Sequence, residues 1–165
     1  LELEAGSAPF LGGFTAYGSL TVQKTKVKDD FQASATVSLP TTGKQLTLTP
    51  ETMIGASLQY ASGPLYARLK AKHTGRQYAT LMNDEEVPSY TLLDLDAGYN
   101  FGNVSMLSNV QMRFNVSNIT NQKYRTPSSG TTINAVKYGT VNANTVFYYL
   151  GAPRLASLTL SADFK

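Results

Sequence analysis

The sequence predicts an all-β fold, an antiparallel transmembrane β-barrel wall of about seven strands. Three observations predict it. Apolar and polar residues alternate strictly through segment after segment of the chain. Short and long connections follow one another in turn. No apolar run approaches the roughly 20 residues of a membrane helix, which leaves strands as the spanning mode.

Successive side chains on a strand point to opposite faces, so alternation gives one apolar and one polar face. Residues Leu1 to Glu4 read as the end of a strand entered partway. Phe14, Ala16, Gly18, Leu20 and Val22 then alternate with Thr15, Tyr17, Ser19, Thr21 and Gln23. Ile54, Ala56, Leu58 and Tyr60 alternate with Gly55, Ser57 and Gln59. Leu65, Ala67, Leu69 and Ala71 alternate with Tyr66, Arg68, Lys70 and Lys72, a face with three cations, and this strand is expected to reach Tyr78. Leu93, Leu95, Ala97, Tyr99 and Phe101 alternate with Asp94, Asp96, Gly98 and Asn100. Val110, Met112, Phe114 and Val116 alternate with Gln111, Arg113, Asn115 and Ser117, in a strand ending near Ile119. In the last, Ala156, Leu158, Leu160, Ala162 and Phe164 alternate with Ser157, Thr159, Ser161 and Asp163.

A soluble sandwich also shows period two. Its water-facing side is usually rich in Lys and Glu, whereas the polar face here is mostly Ser, Thr, Asn, Gln and Gly. The connections separate the two readings further. Ala5 to Gly12, Ser62 to Pro64 and Gly102 to Asn109 are short, and Thr25 to Glu51, Ala79 to Ser89 and Thr120 to Pro153 are long. Outer-membrane barrels sort their loops in this way, with short periplasmic turns and long extracellular loops. The final strand is thereby oriented from Arg154 outside to Phe164 at the periplasmic rim.

Composition bounds the reading. Seven strands do not close a barrel of even strand count, and an open edge in lipid leaves backbone donors unpaired, so the chain is expected to be part of a larger barrel. No signal peptide is read at Leu1, and the true N-terminus is expected elsewhere. There is no cysteine, which excludes disulfides and thiolate sites. The mean hydropathy of −0.18 fits strands of which one face meets water. A net charge of +3 is too small to imply nucleic acid.

At this level of detail the residues resemble a family. Val87-Pro88-Ser89-Tyr90-Thr91-Leu92-Leu93-Asp94-Leu95 resembles the opening of a strand near the C-terminus of TonB-dependent outer-membrane receptors. Val116-Ser117-Asn118-Ile119-Thr120-Asn121-Gln122-Lys123-Tyr124 resembles that family's next upward strand, with its Asn-rich end. Gly151-Ala152-Pro153-Arg154 and the strand ending in Phe164 resemble its closing strand. Leu1-Glu2-Leu3-Glu4-Ala5-Gly6 and Gly12-Gly13-Phe14-Thr15-Ala16-Tyr17 also fit.

The resemblance implies that residues 1–165 are the C-terminal part of a barrel of about 22 strands, plugged by an N-terminal domain. The plug, the TonB-contacting segment and the earlier strands are absent from this sequence. It further implies a bacterial outer-membrane receptor, not an enzyme, that takes up a scarce ligand using energy from the TonB complex. A ferric siderophore is the first expectation, with its iron carried in the ligand and no resident cofactor. Lipid, the plug domain, the remaining strands and the small-molecule ligand are the expected partners. The alternatives are a passive porin-like channel and a soluble all-β binding domain. One departure is Lys165, which follows the aromatic Phe164 that resembles the family's terminal assembly signal.

Two groups of residues are candidate sites. On the polar face, Arg68, Lys70 and Lys72 neighbour Asp94, Asp96 and Arg113, and cross-strand pairing or plug docking is expected of them before ligand contact. Nearer the outside, Arg76, Tyr124, Arg125, Tyr138, Asn142, Tyr148 and Tyr149 mix flat aromatic surfaces with polar tips, as a ligand mouth on a rigid scaffold requires. Tyr148 and Tyr149 are alternatively the start of the last strand. Asp94 and Asp96 share a face but have nothing nearby to push their pKa values apart, so no acid–base pair is expected. His73 stands alone, without a second His or a Cys for a metal. Asp84, Glu85 and Glu86 are expected to be a solvated loop tip. Tyr60, Tyr99, Phe101 and Phe164 are expected to form a periplasmic girdle.

Overall fold

The computed structural model describes residues 1–164. Lys165 lies outside the described residues. In chain order the strands are β1 (Glu2–Gly6), β2 (Phe14–Val22), β3 (Phe31–Ser34), β4 (Val37–Leu39), β5 (Thr52–Ser62), β6 (Leu65–Thr74) and β7 (Gln77–Tyr78). There follow β8 (Glu86–Val87), β9 (Tyr90–Val104), β10 (Leu107–Ser117), β11 (Arg125–Pro127), β12 (Tyr148–Leu150) and β13 (Leu155–Phe164). Seven of them form one antiparallel meander in the order β1-β2-β5-β6-β9-β10-β13. The other six make three two-stranded ribbons, β3 with β4, β7 with β8 and β11 with β12, all at one end of the sheet.

Register converts the alternation within each strand into continuous rows across the sheet. One row runs Ala16, Leu58, Leu69, Leu95, Val116 and Ala156, each opposite the next. The adjoining row runs Gln59, Arg68, Asp96, Asn115 and Ser157. A slip of one residue at any pair would put charge in the apolar row, so the pattern itself holds the register.

The turn end is tight. β5 and β6 join through Gly63 and Pro64, with Gly63 at φ +53°, where a side chain would be strained. β9 and β10 join through Ser105 and Met106, and their register shifts near Asn109 and Gly102, both at positive φ. Aromatic rings gather at this end, Phe14 against Tyr60 at 4.8 Å and Tyr99 against Phe101 at 4.8 Å.

Burial is the reverse of a soluble domain. The wall's apolar residues remain exposed, Leu69 at 44% and Leu160 at 70%, while Leu39, Ala79 and Val87 in the loop-end ribbons are 0–1% exposed. Thr41, Thr80 and Asn134 are fully buried beside them. A row of exposed leucines on one face of a sheet requires an apolar solvent or a second layer, and the loop end alone has built a core of its own.

The structure revises four sequence expectations. β6 stops at Thr74, because Gln77 and Tyr78 leave the wall to pair with Val87 and Glu86. β9 begins at Tyr90 and runs through Gly102 to Val104, absorbing the expected turn as a bulge. β10 ends at Ser117, because Asn118 takes φ +49° and its side chain donates to the carbonyls of Gln122 and Ala152 at 3.0 Å each. Tyr148 and Tyr149 belong to β12, paired with β11, and do not start the last strand, which opens at Leu155.

Candidate functional site

Two regions hold the candidate residues, the polar face of the wall and the cap made by the three long connections. On the wall, Arg113 is paired with Asp96 at 2.6 Å, and Asn115 donates to the same carboxylate at 3.3 Å. The expected pairing of the other charges does not form. Lys70 stands opposite Asp94 in register, but Asp94 Oδ1 instead accepts the backbone N–H of Asn118 at 2.8 Å. Arg68 stands opposite Asp96 yet donates to Gln59, through Nε at 2.8 Å and also through Nη2. Arg113 and Asn115 already gather on one oxygen of Asp96, and Gln59 on the neighbouring strand is the acceptor that Arg68 takes. Among the described residues, Arg68, Lys70 and Lys72 therefore form a cationic row without an ion pair.

The cap knits the three connections together. From the first to the second, Gln45 N–H donates to Asn83 Oδ1 at 2.7 Å, Asn83 Nδ2 donates back to Gln45 O at 2.8 Å, and Leu48 N–H donates to Tyr78 O at 3.0 Å. From the first to the third, Thr47 Oγ1 donates to Gly130 O at 2.5 Å. From the second to the third, Leu81 and Met82 N–H donate to Thr132 and Ile133 carbonyls at 3.0 and 2.9 Å. Within the third, buried Asn134 donates to Val136 O and Asn142 O at 2.9 Å each and accepts from Asn144 at 2.7 Å.

The acidic run is the hub of this network, not a solvated tip. Asp84 accepts the Thr80 hydroxyl at 2.6 Å, the Val136 N–H at 2.9 Å and the Ala135 N–H at 3.0 Å. Burial pushes its carboxyl up, but these hydrogen bonds outweigh burial and hold it below the usual 3.8. Glu85 accepts the Tyr148 hydroxyl at 2.6 Å and pairs with Arg125 at 3.3 Å. Burial first, and then this carboxylate neighbour, pushes the Tyr148 phenol up to about 12. Glu86 pairs with Arg76 at 3.4 Å.

Of the seven outer candidates, three are thus engaged around this run: Arg76 by Glu86, and Arg125 and Tyr148 by Glu85. The Arg125 guanidinium also lies 4.2 Å from the centre of the Tyr148 ring, a cation–π contact. Tyr124 is next to them, stacked on Tyr90 at 4.5 Å with its ring against Gly151, where an added Cβ would collide with it. Together Tyr90, Tyr124, Arg125 and Leu150 line an open cleft beneath the cap. The remaining three stand apart. Tyr149 faces away from Tyr148 on the same ribbon and is 67% exposed. Tyr138 bridges Val141 in a separate small turn, and Asn142 takes part through its carbonyl, with its side chain exposed.

Sequence reasoning missed Glu85, Tyr90 and Asn134. The signal available was charge matching, since an acidic triplet in one long loop faced Arg76 and Arg125 in neighbouring segments. For Asn134 there was none, because its partners, two backbone carbonyls and the Asn144 side-chain amide, carry no charge to match. His73 lies on the apolar-face register, opposite Ile54 and Thr91, with Nδ1 2.9 Å from the Thr91 hydroxyl.

Comparison with known proteins agrees with this geometry. Residues 1–119 match the family model described as TonB dependent receptor-like, beta-barrel. No curated protein matches the sequence. The fold is similar to the siderophore receptor PiuA from Acinetobacter baumannii, at 16% identity and TM-score 0.69, over 99% of this chain and 21% of that one. It is similar to the ferric yersiniabactin uptake receptor FyuA from Yersinia pestis, at 20% identity and TM-score 0.68, over 99% and 23%. It is also similar to the unliganded ferric citrate transporter FecA, at 18% identity and TM-score 0.65, over 91% and 21%. The chain spans about a fifth of the length of each of these proteins.

Proposed function

The chain belongs to the TonB dependent receptor-like β-barrel family, and from that premise we propose that it forms part of the wall and outer mouth of a bacterial outer-membrane receptor that imports a scarce ligand by TonB-coupled transport. The observation that carries this reading is the pairing of an exposed apolar face on every wall strand with a knitted cap at the long-loop end alone. Lipid covers the apolar face, where exposed leucines cost nothing. Water, and a plug supplied by further sequence, meet the polar face.

The names of the similar receptors support a ferric siderophore or ferric carboxylate as the ligand class. Within the cap, Tyr124, Arg125 and Tyr148 are the residues best placed to meet it, because Tyr124 and Arg125 line one cleft and the Tyr148 ring lies against Arg125, so flat rings and a cation come together. Arg76 lies beside them, and Tyr138, Asn142 and Tyr149 would act from the cap's outer surface. Arg68, Lys70 and Lys72 would face the plug from the wall. No covalent step is involved; the protein's work is capture, exclusion of leakage and release inward.

The test is uptake of a radiolabelled ferric siderophore by cells whose only such receptor is the full-length protein containing this chain. The reading expects accumulation that needs both the receptor and an intact TonB complex. Accumulation that persists without TonB would point instead to a passive channel.

A further inference from the structure

We propose that Lys24, Lys26 and Lys28 form a binding stripe for the phosphate groups of outer-leaflet lipids, at the loop-end edge of the wall. The proposal rests on the membrane reading above. Its starting point is a parity that outlasts β2. Phe14, Ala16, Gly18, Leu20 and Val22 share the apolar face, and the next three positions of the same parity are all lysine.

Beyond the end of β2 the parity is carried by backbone bonds and by alternating exposure. Gln23 N–H donates to Glu51 O at 2.9 Å, continuing the ladder with β5, and Val27 N–H donates to Lys44 O at 2.9 Å. Exposure alternates accordingly: Lys24, Lys26 and Lys28 are exposed, whereas Gln23, Thr25 and Val27 are half-buried. Alternate residues on a strand lie about 6.5 to 7 Å apart, so the three stems step outward from the apolar band on its own face.

Their charges are not neutralised within the protein. None of the three makes an ion pair among the described residues. Glu51 stands opposite Gln23, on the other face. Of the two carboxylates that follow, Asp30 is held by the Thr42 N–H at 2.9 Å and the Thr42 hydroxyl at 2.5 Å. Asp30 keeps its charge but is turned to Thr42, so the three cations outnumber the two carboxylates that follow them, Asp29 and Asp30.

Depth selects the partner. A nine-residue strand with one apolar face is about the length that crosses a bilayer's hydrocarbon, so residues directly beyond it stand among headgroups. Polar residues border the same edge, where Val22 faces Thr52 and the His73 ring meets Thr91. Cations placed there attract lipid phosphates, and lysine suits this as a compact point charge that tolerates varied geometry.

The experiment uses the full-length protein in detergent, titrated with bis-phosphorylated lipid A and, separately, with lipid A stripped of phosphate, with native mass spectrometry reading the bound fraction. The triple variant Lys24→Gln, Lys26→Gln, Lys28→Gln is compared with Arg68→Gln, Lys70→Gln, Lys72→Gln, which removes equal charge from the polar face. The stripe variant is expected to bind the phosphorylated lipid roughly 100-fold more weakly. The polar-face variant should stay within about twofold of the wild type, and the stripped lipid should not distinguish the three proteins. Unchanged binding in the stripe variant, or equal loss in both variants, overturns the proposal. The transport reading is scored separately in cells, and its failure would leave this result standing. Recovery of wild-type protein outside the outer-membrane fraction would remove the membrane reading beneath both.

Discussion

Asp84→Ala should loosen the cap while leaving the wall intact. The carboxylate accepts the hydroxyl of buried Thr80, the N–H of half-buried Ala135 and the N–H of exposed Val136. A hydrogen bond to a charged acceptor contributes about 1.5 to 3 kcal/mol when dry; partial water access reduces this to about 1 kcal/mol each, or roughly 3 kcal/mol for the three. That is roughly a 100-fold rise in local opening. Hydrogen exchange on the full-length protein reads it directly at Ala135 and Val136, and at Leu81 and Met82, whose N–H groups bond Thr132 and Ile133. Asp84→Asn keeps one acceptor oxygen and should raise exchange about tenfold. Because the folded carboxyl sits below the usual 3.8, its contribution is present above that value and is lost only as pH falls through the depressed one. The cap should therefore exchange alike at pH 7 and pH 5, and faster only below about pH 4. Exchange at those four amides within about threefold of wild type in Asp84→Ala would refute the keystone role.

Three further outcomes follow from named contacts. Tyr148→Phe removes the bond to Glu85 but keeps the ring under Arg125, so it should cost about 1 kcal/mol and raise exchange at Arg125 and Thr126 about fivefold; the raised phenol value means that the wild-type contribution is whole below pH 10.0 and lost as pH approaches about 12. Gly151→Ala drives a methyl into the Tyr124 ring, and about 1 to 3 kcal/mol of lost stability should appear in a denaturation midpoint; the loss should vanish in a Tyr124→Ala background. Leu69→Arg, in the middle of the apolar row, should cost about 2 to 4 kcal/mol of folding stability in lipid vesicles, whereas Gln111→Arg on the polar face should cost far less.

The wall was legible in the sequence because a strand's period of two is written into every residue. All seven wall strands, their order and the split between short and long connections could be read from alternation and spacing. Boundaries at the loop end were less legible, since Gln77 and Tyr78 continue the composition of β6 while their backbone leaves it to pair with β8. The cap was not legible. Its bonds join Asp84 to Ala135 across 51 positions and Glu85 to Tyr148 across 63, with no period to announce them. An acidic triplet looks the same whether it is hydrated or receives backbone N–H groups from another loop. The charged row failed for a similar reason: register placed Lys70 opposite Asp94, but a backbone donor from Asn118, just beyond the end of β10, reached the carboxylate instead.

The central claim is that one face of this sheet meets lipid and the other does not. It is tested most directly by placing single spin-labelled cysteines at Ala67, Arg68, Leu69, Lys70, Ala71 and Lys72 in the full-length protein reconstituted in bilayers. This segment carries no native cysteine to interfere. Collision rates with oxygen, which concentrates in lipid, and with a water-soluble nickel chelate should alternate in opposite phase with period two, with oxygen favoured at Ala67, Leu69 and Ala71. Uniform access to the chelate at all six positions, or alternation in the inverse phase, would contradict the account.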